Sequence, residues 1–125
     1  MKTIINTDKA PAPVGPYSQA VESGGFLFCS GQIAINPASN QVLTGPVEEQ
    51  TKQVLENIKA VLDKAGLKFS NVVKTTIYLI NMNDFNAVNE VYAKYFTSEP
   101  PARSTVAVSA LPKGVHVEIE VLAKR

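Results

Sequence analysis

Val115-His116-Val117-Glu118-Ile119-Glu120-Val121-Leu122-Ala123 lies near the end of the 125-residue chain and decides how the rest is read. Val117, Ile119 and Val121 fall on one side of an extended strand; His116, Glu118, Glu120 and Leu122 fall on the other. That period-two alternation predicts a strand over 115–123 with one face turned to a core. A sheet with a dry face needs a cover, and two upstream segments supply it. Val47, Val54, Ile58, Val61, Leu62 and Ala65 recur near a 3.6-residue period, predicting a helix over 47–65. Thr44 is placed to cap it, Pro46 suits its first turn, and Glu48 and Glu49 complement its positive end. Gly66 suits the position just past its end, with Leu67 making the closing contact. A second helix is predicted over 83–96, carrying Phe85, Val88, Val91, Tyr92, Tyr95 and Phe96 on one side, with Pro100-Pro101 stopping it.

The remaining segments read as strands over 2–5, 17–21, 26–35, 72–80 and 103–108, with Gly24-Gly25 marking a hairpin. The predicted order is β-β-β-α-β-α-β-β. An antiparallel sheet with two helices on one face is a two-layer α+β domain over residues 1–125. Its other face is left partly wet or covered by another subunit. The 109–114 connection is compatible with a hairpin or with a crossing.

Composition narrows the chemistry. Hydrophobic residues are 45% and charged residues 18%, a globular balance. Twelve Lys and Arg against eleven Asp and Glu leave a net charge of +1, so no electrostatic footprint for nucleic acid is expected. No apolar run approaches a membrane span, and no export or transit segment is evident, which predicts a cytoplasmic protein. Cys29 is the one cysteine, so an intrachain disulfide and a Cys-based zinc site are excluded. His116 is the one histidine, so there is no His–His metal pair, and no metal site is expected. Glycine-rich phosphate loops are absent.

Few residues are left to carry chemistry. Cys29 sits in apolar Phe26-Leu27-Phe28-Cys29 with nothing to lower its pKa, and reads as packing. His116 reads as a surface residue. Ser30-Gly31 follows a strand and reads first as a strand end. Arg103 opens a strand after Pro100-Pro101-Ala102 and presents a planar fork suited to a carboxylate; a structural salt bridge is the alternative. Glu118 and Glu120 share a strand face about 7 Å apart, suiting either acid–base work or a wet sheet face.

Five segments then carry a resemblance. They are Ala10-Pro11-Ala12-Pro13-Val14-Gly15-Pro16-Tyr17-Ser18-Gln19, Ser30-Gly31-Gln32, Val88-Asn89-Glu90-Val91-Tyr92, Pro101-Ala102-Arg103-Ser104, and Leu111-Pro112 with Val117-Glu118-Ile119-Glu120. In this order, with Glu118 fifteen positions after Arg103, the chain resembles the RidA (YjgF/YER-type) family of enamine and imine deaminases. The resemblance implies a chorismate-mutase-like fold and a homotrimer with three clefts between subunits. It implies hydrolysis, without cofactor, of 2-enamine or 2-imine acids such as 2-aminoacrylate and 2-aminocrotonate, giving 2-oxo acids and ammonia.

The same resemblance assigns candidate roles. Arg103 matches the carboxylate-binding arginine and Glu118 the catalytic glutamate. Tyr17 is placed to close the site. Ser30, Gly31 and Asn89 match cleft-lining positions, and the backbone at Gly31 and Thr105 adds contacts. Thr105 departs from a cysteine common in the active subfamily. A second reading, a non-catalytic trimeric sensor of 2-oxo or amino acids, would use Arg103 equally. Glu118 separates the two, because hydrolysis needs a proton carrier and anion binding does not. A third reading, ribonuclease or translation inhibitor, sits poorly with the balanced charge.

Overall fold

The structure is a computed structural model and describes residues 1–125. It contains β1 (Thr3–Ile5), β2 (Ala20–Ser23), β3 (Phe26–Cys29), β4 (Ile35–Asn36), β5 (Gln41–Val42), α1 (Val47–Lys64), β6 (Val72–Leu79), α2 (Phe85–Ala93), β7 (Ala102–Ala107) and β8 (Val117–Lys124). Six strands form one sheet in the order β1-β2-β3-β8-β6-β7. The helices and this sheet make the α+β layers that the alternation in β8 requires.

The sheet is mixed, where an antiparallel one was expected. Each neighbouring pair is antiparallel except β6–β7, which is parallel. The cause is α2: a strand–helix–strand unit returns its second strand in the direction of the first. The 109–114 connection is therefore a crossing. It carries the chain past β6 and inserts β8 between β3 and β6, antiparallel to both.

The core lies between β8, its neighbours and α1. Val117, Ile119, Val121 and Ala123 are buried on one face of β8, with Leu55, Ile58 and Leu62 of α1 buried in the same cluster. Each such side chain contributes about 1.5–3 kcal/mol on leaving water. At the end of α1, Leu67 N–H donates to Leu62 O and Gly66 N–H to Asp63 O, with Gly66 at φ 75°. This is the double closing bond that only a left-handed residue permits at low cost.

Several boundaries differ from expectation. Pro46, not Thr44, stands at the N-cap of α1, and no side chain caps it. Gln50 reaches back instead, donating to Gly45 O and accepting from the His116 N–H. Helix α2 is shorter than predicted; a 3-10 turn at Met82–Asp84 precedes it, with Asn81 Oδ1 accepting from the Asn83 N–H. The strand predicted over 17–21 starts only at Ala20, behind the Pro11–Pro16 stretch. The strand predicted over 26–35 stops at Cys29. Beyond it, β4 and β5 form a small separate hairpin, turned by Asn36, whose Oδ1 accepts from the Ala38 N–H. Cys29 is half-buried, and burial pushes its thiol up to about 12; His116 is exposed. No helix is long and apolar enough to cross a membrane.

Candidate active site

Glu118 projects from β8 on the face away from the helices, because its neighbours Val117 and Ile119 take the core side. Opposite it the chain makes room. After β3 ends at Cys29, the Gln32 N–H donates to Ile119 O at 2.9 Å and the Ile119 N–H to Gln32 O at 3.1 Å. Ser30 and Gly31 are thereby held as an outward step beside the Glu118 side chain. A Cβ on Gly31 would collide with Glu118 Oε2 and sit 2.9 Å from its Cδ. Glycine here lets the Glu118 side chain approach closely and is not called for by a special backbone angle; a methyl would require that side chain to shift.

A cavity of about 330 Å³ opens at this step, lined by Tyr17, Ser30, Gly31, Lys113 and Glu118 among others. Burial, and then the charge of Glu120, push the Glu118 carboxyl above its ordinary value of 4.5. Glu120 has a different fate. It accepts a hydrogen bond from Tyr78 Oη at 2.6 Å and lines another cavity with Phe28, Lys74 and Thr76. Of the two carboxylates, Glu118 is the one that faces Tyr17. Tyr17 itself is 51% exposed, and its hydroxyl accepts from the Val14 N–H at 3.4 Å. The Ser30 hydroxyl donates to Ser18 O at 2.6 Å, so Ser30 fastens the stem of the Tyr17 segment.

Arg103 lies elsewhere. On β7 it pairs with Thr75, which pairs with Val121 on β8; Thr75 and Val121 are buried on the helix side. Glu118 pairs with Tyr78, which pairs with Val106, 42% exposed on the open side. Residues opposite one another in a ladder share a face. Arg103 and Glu118 are therefore on opposite faces of one sheet. The guanidinium rests over the rings of Tyr92 and Phe85, 4.9 and 5.4 Å from their centroids. Its Nη1 donates to Asn89 Oδ1 at 2.8 Å. The ion pairs of the protein are Lys59–Asp63 and Arg125–Glu22, and neither includes Arg103.

The expected site residues thus fall into two groups. Tyr17, Ser30, Gly31 and Glu118 meet in one cavity. Asn89 and Arg103 line another, of about 460 Å³, with Tyr92, Phe96 and Pro100-Pro101. Thr105 pairs with Ile77 next to this second group, and its hydroxyl is buried without a hydrogen-bond partner. Sequence reading missed the aromatic platform of Arg103. The signal was present: Phe85, Asn89 and Tyr92 are spaced i, i+4, i+7 on one face of α2. No three His, Cys, Asp or Glu side chains gather closely enough to hold a metal ion.

The chain as a whole has known relatives. The family model described as Endoribonuclease L-PSP matches residues 7–125. The chain belongs to the Ribonuc_L-PSP (YjgF/RidA) family. A human member, named 2-iminobutanoate/2-iminopropanoate deaminase, is 50% identical over 123 residues, covering 98% of this chain and 90% of that protein. Among solved Rid-family structures, YyfA from Yersinia pestis is 51% identical with a TM-score of 0.96, over all of both chains. TdcF from E. coli, solved with bound serine, is 40% identical with a TM-score of 0.94, over 98% of each chain. The two solved relatives share this fold over nearly their whole length, while the family model and the human member carry different functional names.

Proposed function

We propose that this chain is a deaminase of small 2-imino acids, working as a homotrimer whose clefts join Arg103 of one copy to Glu118 of a neighbour. The observation that carries the reading is the state of Arg103. It is a guanidinium held in a fixed plane by two aromatic rings and Asn89, with no carboxylate of its own. Such a fork suits a ligand carboxylate with two parallel bonds. The human relative's name supplies the reaction class.

A small imino acid cannot span a sheet, so one protomer does not bring both groups to one substrate. In this reading a neighbouring copy, docked on the open face, brings its Arg103 to Glu118. That face carries exposed Ile4, Phe28 and Val106, apolar surface suited to a partner copy. Family resemblance supplies the number three.

In this reading Arg103 fixes the carboxylate and thereby the imine carbon. An enamine substrate first takes a proton on its β-carbon and becomes the iminium. Glu118 removes a proton from water as the water oxygen bonds to the iminium carbon. The C=N π electrons move to nitrogen. Glu118 then returns the proton to nitrogen and takes the hydroxyl proton as the C=O bond forms and the C–N bond breaks; a 2-oxo acid and ammonia leave, and the ammonia carries that proton away as ammonium. A carboxyl raised toward neutrality is matched to both transfers. Tyr17 lines the same cavity.

The serine seen in the E. coli relative favours a second reading, a sensor of small amino or 2-oxo acids. Arg103 would serve it, but a half-buried carboxylate at the anion site opposes binding and helps hydrolysis. The test couples the purified protein to a serine/threonine dehydratase and follows 2-oxo acid release. Accelerated release that is lost in Glu118→Gln supports the deaminase. Unchanged release, with 2-oxobutanoate still bound in calorimetry, supports the sensor.

A further inference from the structure

Gln19 is 1% exposed, yet it carries no part of the chemistry above. Its side chain makes four hydrogen bonds to a single stretch of backbone. Oε1 accepts from the Thr7 N–H at 2.8 Å; Nε2 donates to Thr7 O at 2.9 Å, Ala10 O at 3.3 Å and Pro11 O at 2.9 Å. One N–H on one side and three carbonyls on the other leave a single orientation for this amide. An isosteric carboxylate could not satisfy them.

The backbone of Gln19 is fixed as well. Its carbonyl accepts from the Ser30 N–H at 2.9 Å, and the preceding Ser18 carbonyl accepts from Ser30 Oγ at 2.6 Å. So the chain is pinned at Pro11 and again at Ser18. Between the pins, Val14 and Tyr17 are 76% and 51% exposed, and the only bonds are local: Tyr17 N–H to Gly15 O, and Val14 N–H to Tyr17 Oη. Pro11, Val14, Tyr17 and Gln19 all line the cavity that holds Glu118.

We propose that Gln19 is a positioning residue for the reaction: its amide pins one stem of the 12–17 segment against the other and so sets Tyr17 over the Glu118 cavity. This rests on the deaminase reading for its catalytic consequence, while the pinning itself is independent of it. Loss of the pin lets the segment drift, and displacements near 1 Å at a reacting centre cost up to about a hundredfold in rate. A purely structural Gln19 would lower stability and leave the rate per folded trimer unchanged.

The test is a double-mutant cycle of Gln19→Met with Tyr17→Ala, reading kcat and KM, together with native-state trypsin digestion of the same proteins. Gln19→Met keeps the volume and removes every donor. With Tyr17 present it should lower kcat/KM about tenfold, largely through kcat. In the Tyr17→Ala background its effect should shrink to less than about twofold, because the residue it positions is gone. Trypsin should cut after Lys9, next to buried Ala10, at least about tenfold faster, with cleavage at Lys74 in β6 unchanged. Additive losses in the cycle, or unchanged cleavage at Lys9, would overturn the proposal. Gln19→Asn keeps the amide but withdraws it by one methylene, and serves the same comparisons if Gln19→Met fails to assemble. If the wild type hydrolyses no imino acid, the deaminase reading fails, and the trypsin arm still decides the pinning.

Discussion

Arg103 and Glu118 project from opposite faces of the same sheet: Arg103 shares its row with buried Thr75 and Val121, Glu118 with Tyr78 and exposed Val106. Strand β6 runs between them. In the proposed trimer, a small ligand that meets both does so across two copies of the chain. The guanidinium is stacked on Tyr92 and outside any ion pair, and the carboxyl is half-buried with its acidity lowered by burial.

Glu118→Gln should reduce deamination by about 10²-fold or more, since it keeps size and polarity but carries no exchangeable acid proton. The same variant should gain stability at neutral pH. A carboxyl raised in the folded state binds more protons folded than unfolded. Its contribution is fully present below the unfolded value and is lost as pH rises through the folded one. Melting temperatures of wild type and Glu118→Gln should therefore converge as pH falls below about 4.3 and separate, with the variant higher, toward pH 7. A variant less stable at pH 7 would show that a neighbouring copy's Arg103 reaches Glu118 in the empty cleft and outweighs its burial.

Gly31→Ala should be more damaging than its size suggests. The added methyl meets the Glu118 carboxylate and must displace it. Activity should fall at least about tenfold while carboxylate binding at Arg103 persists. Steady-state kinetics alongside 2-oxobutanoate titration checks this; equal loss of both would place Gly31 in the fold rather than the site.

Arg103→Ala should weaken 2-oxobutanoate binding about tenfold to a hundredfold, the loss expected for charge-assisted bonds of about 1.5–3 kcal/mol. Arg103→Lys should recover little, because an ammonium cannot lie flat on Phe85 and Tyr92 or offer two parallel bonds. Calorimetric titration of the three proteins decides. Equal affinities would remove the anchor.

Thr105→Val should be neutral or stabilising, by up to about 1 kcal/mol, because it removes a buried hydroxyl that has no partner. Chemical denaturation measures it. A clear loss of stability would mean that the hydroxyl is bonded in the assembled protein.

Much of this was legible in the sequence, for physical reasons. Strict alternation in β8 announced which face was dry, because a one-residue slip would bury both glutamates. Gly66 and Leu67 announced the end of α1, because few other residues take that backbone angle. Arg103 was visible as an isolated cation after stiff prolines. The placement of Arg103 and Glu118 on opposite faces was not legible, since it depends on β8 inserting between β3 and β6, a choice made by long-range pairing. The break after Cys29 was half legible: Ser30-Gly31 reads as a strand end, but Ile33 and Ile35 extend the apolar pattern to 35. The aromatic bed of Arg103 was hidden among positions that read equally well as core. Gln19 reads in the sequence only as the end of the Ala10–Gln19 motif, because its partners are defined only when the fold brings Thr7 and Pro11 beside it.

The most direct test of the account is subunit complementation. Arg103→Ala and Glu118→Gln proteins, each inactive alone, are mixed one to one, unfolded and refolded together, and assayed for imino-acid hydrolysis with the assembled mass checked by light scattering. If each cleft takes its arginine and its glutamate from different chains of a homotrimer, half of each are intact, and about a quarter of the wild-type rate should return. No recovery in mixed assemblies, or a wild-type particle of 13.5 kDa that is fully active, would contradict it.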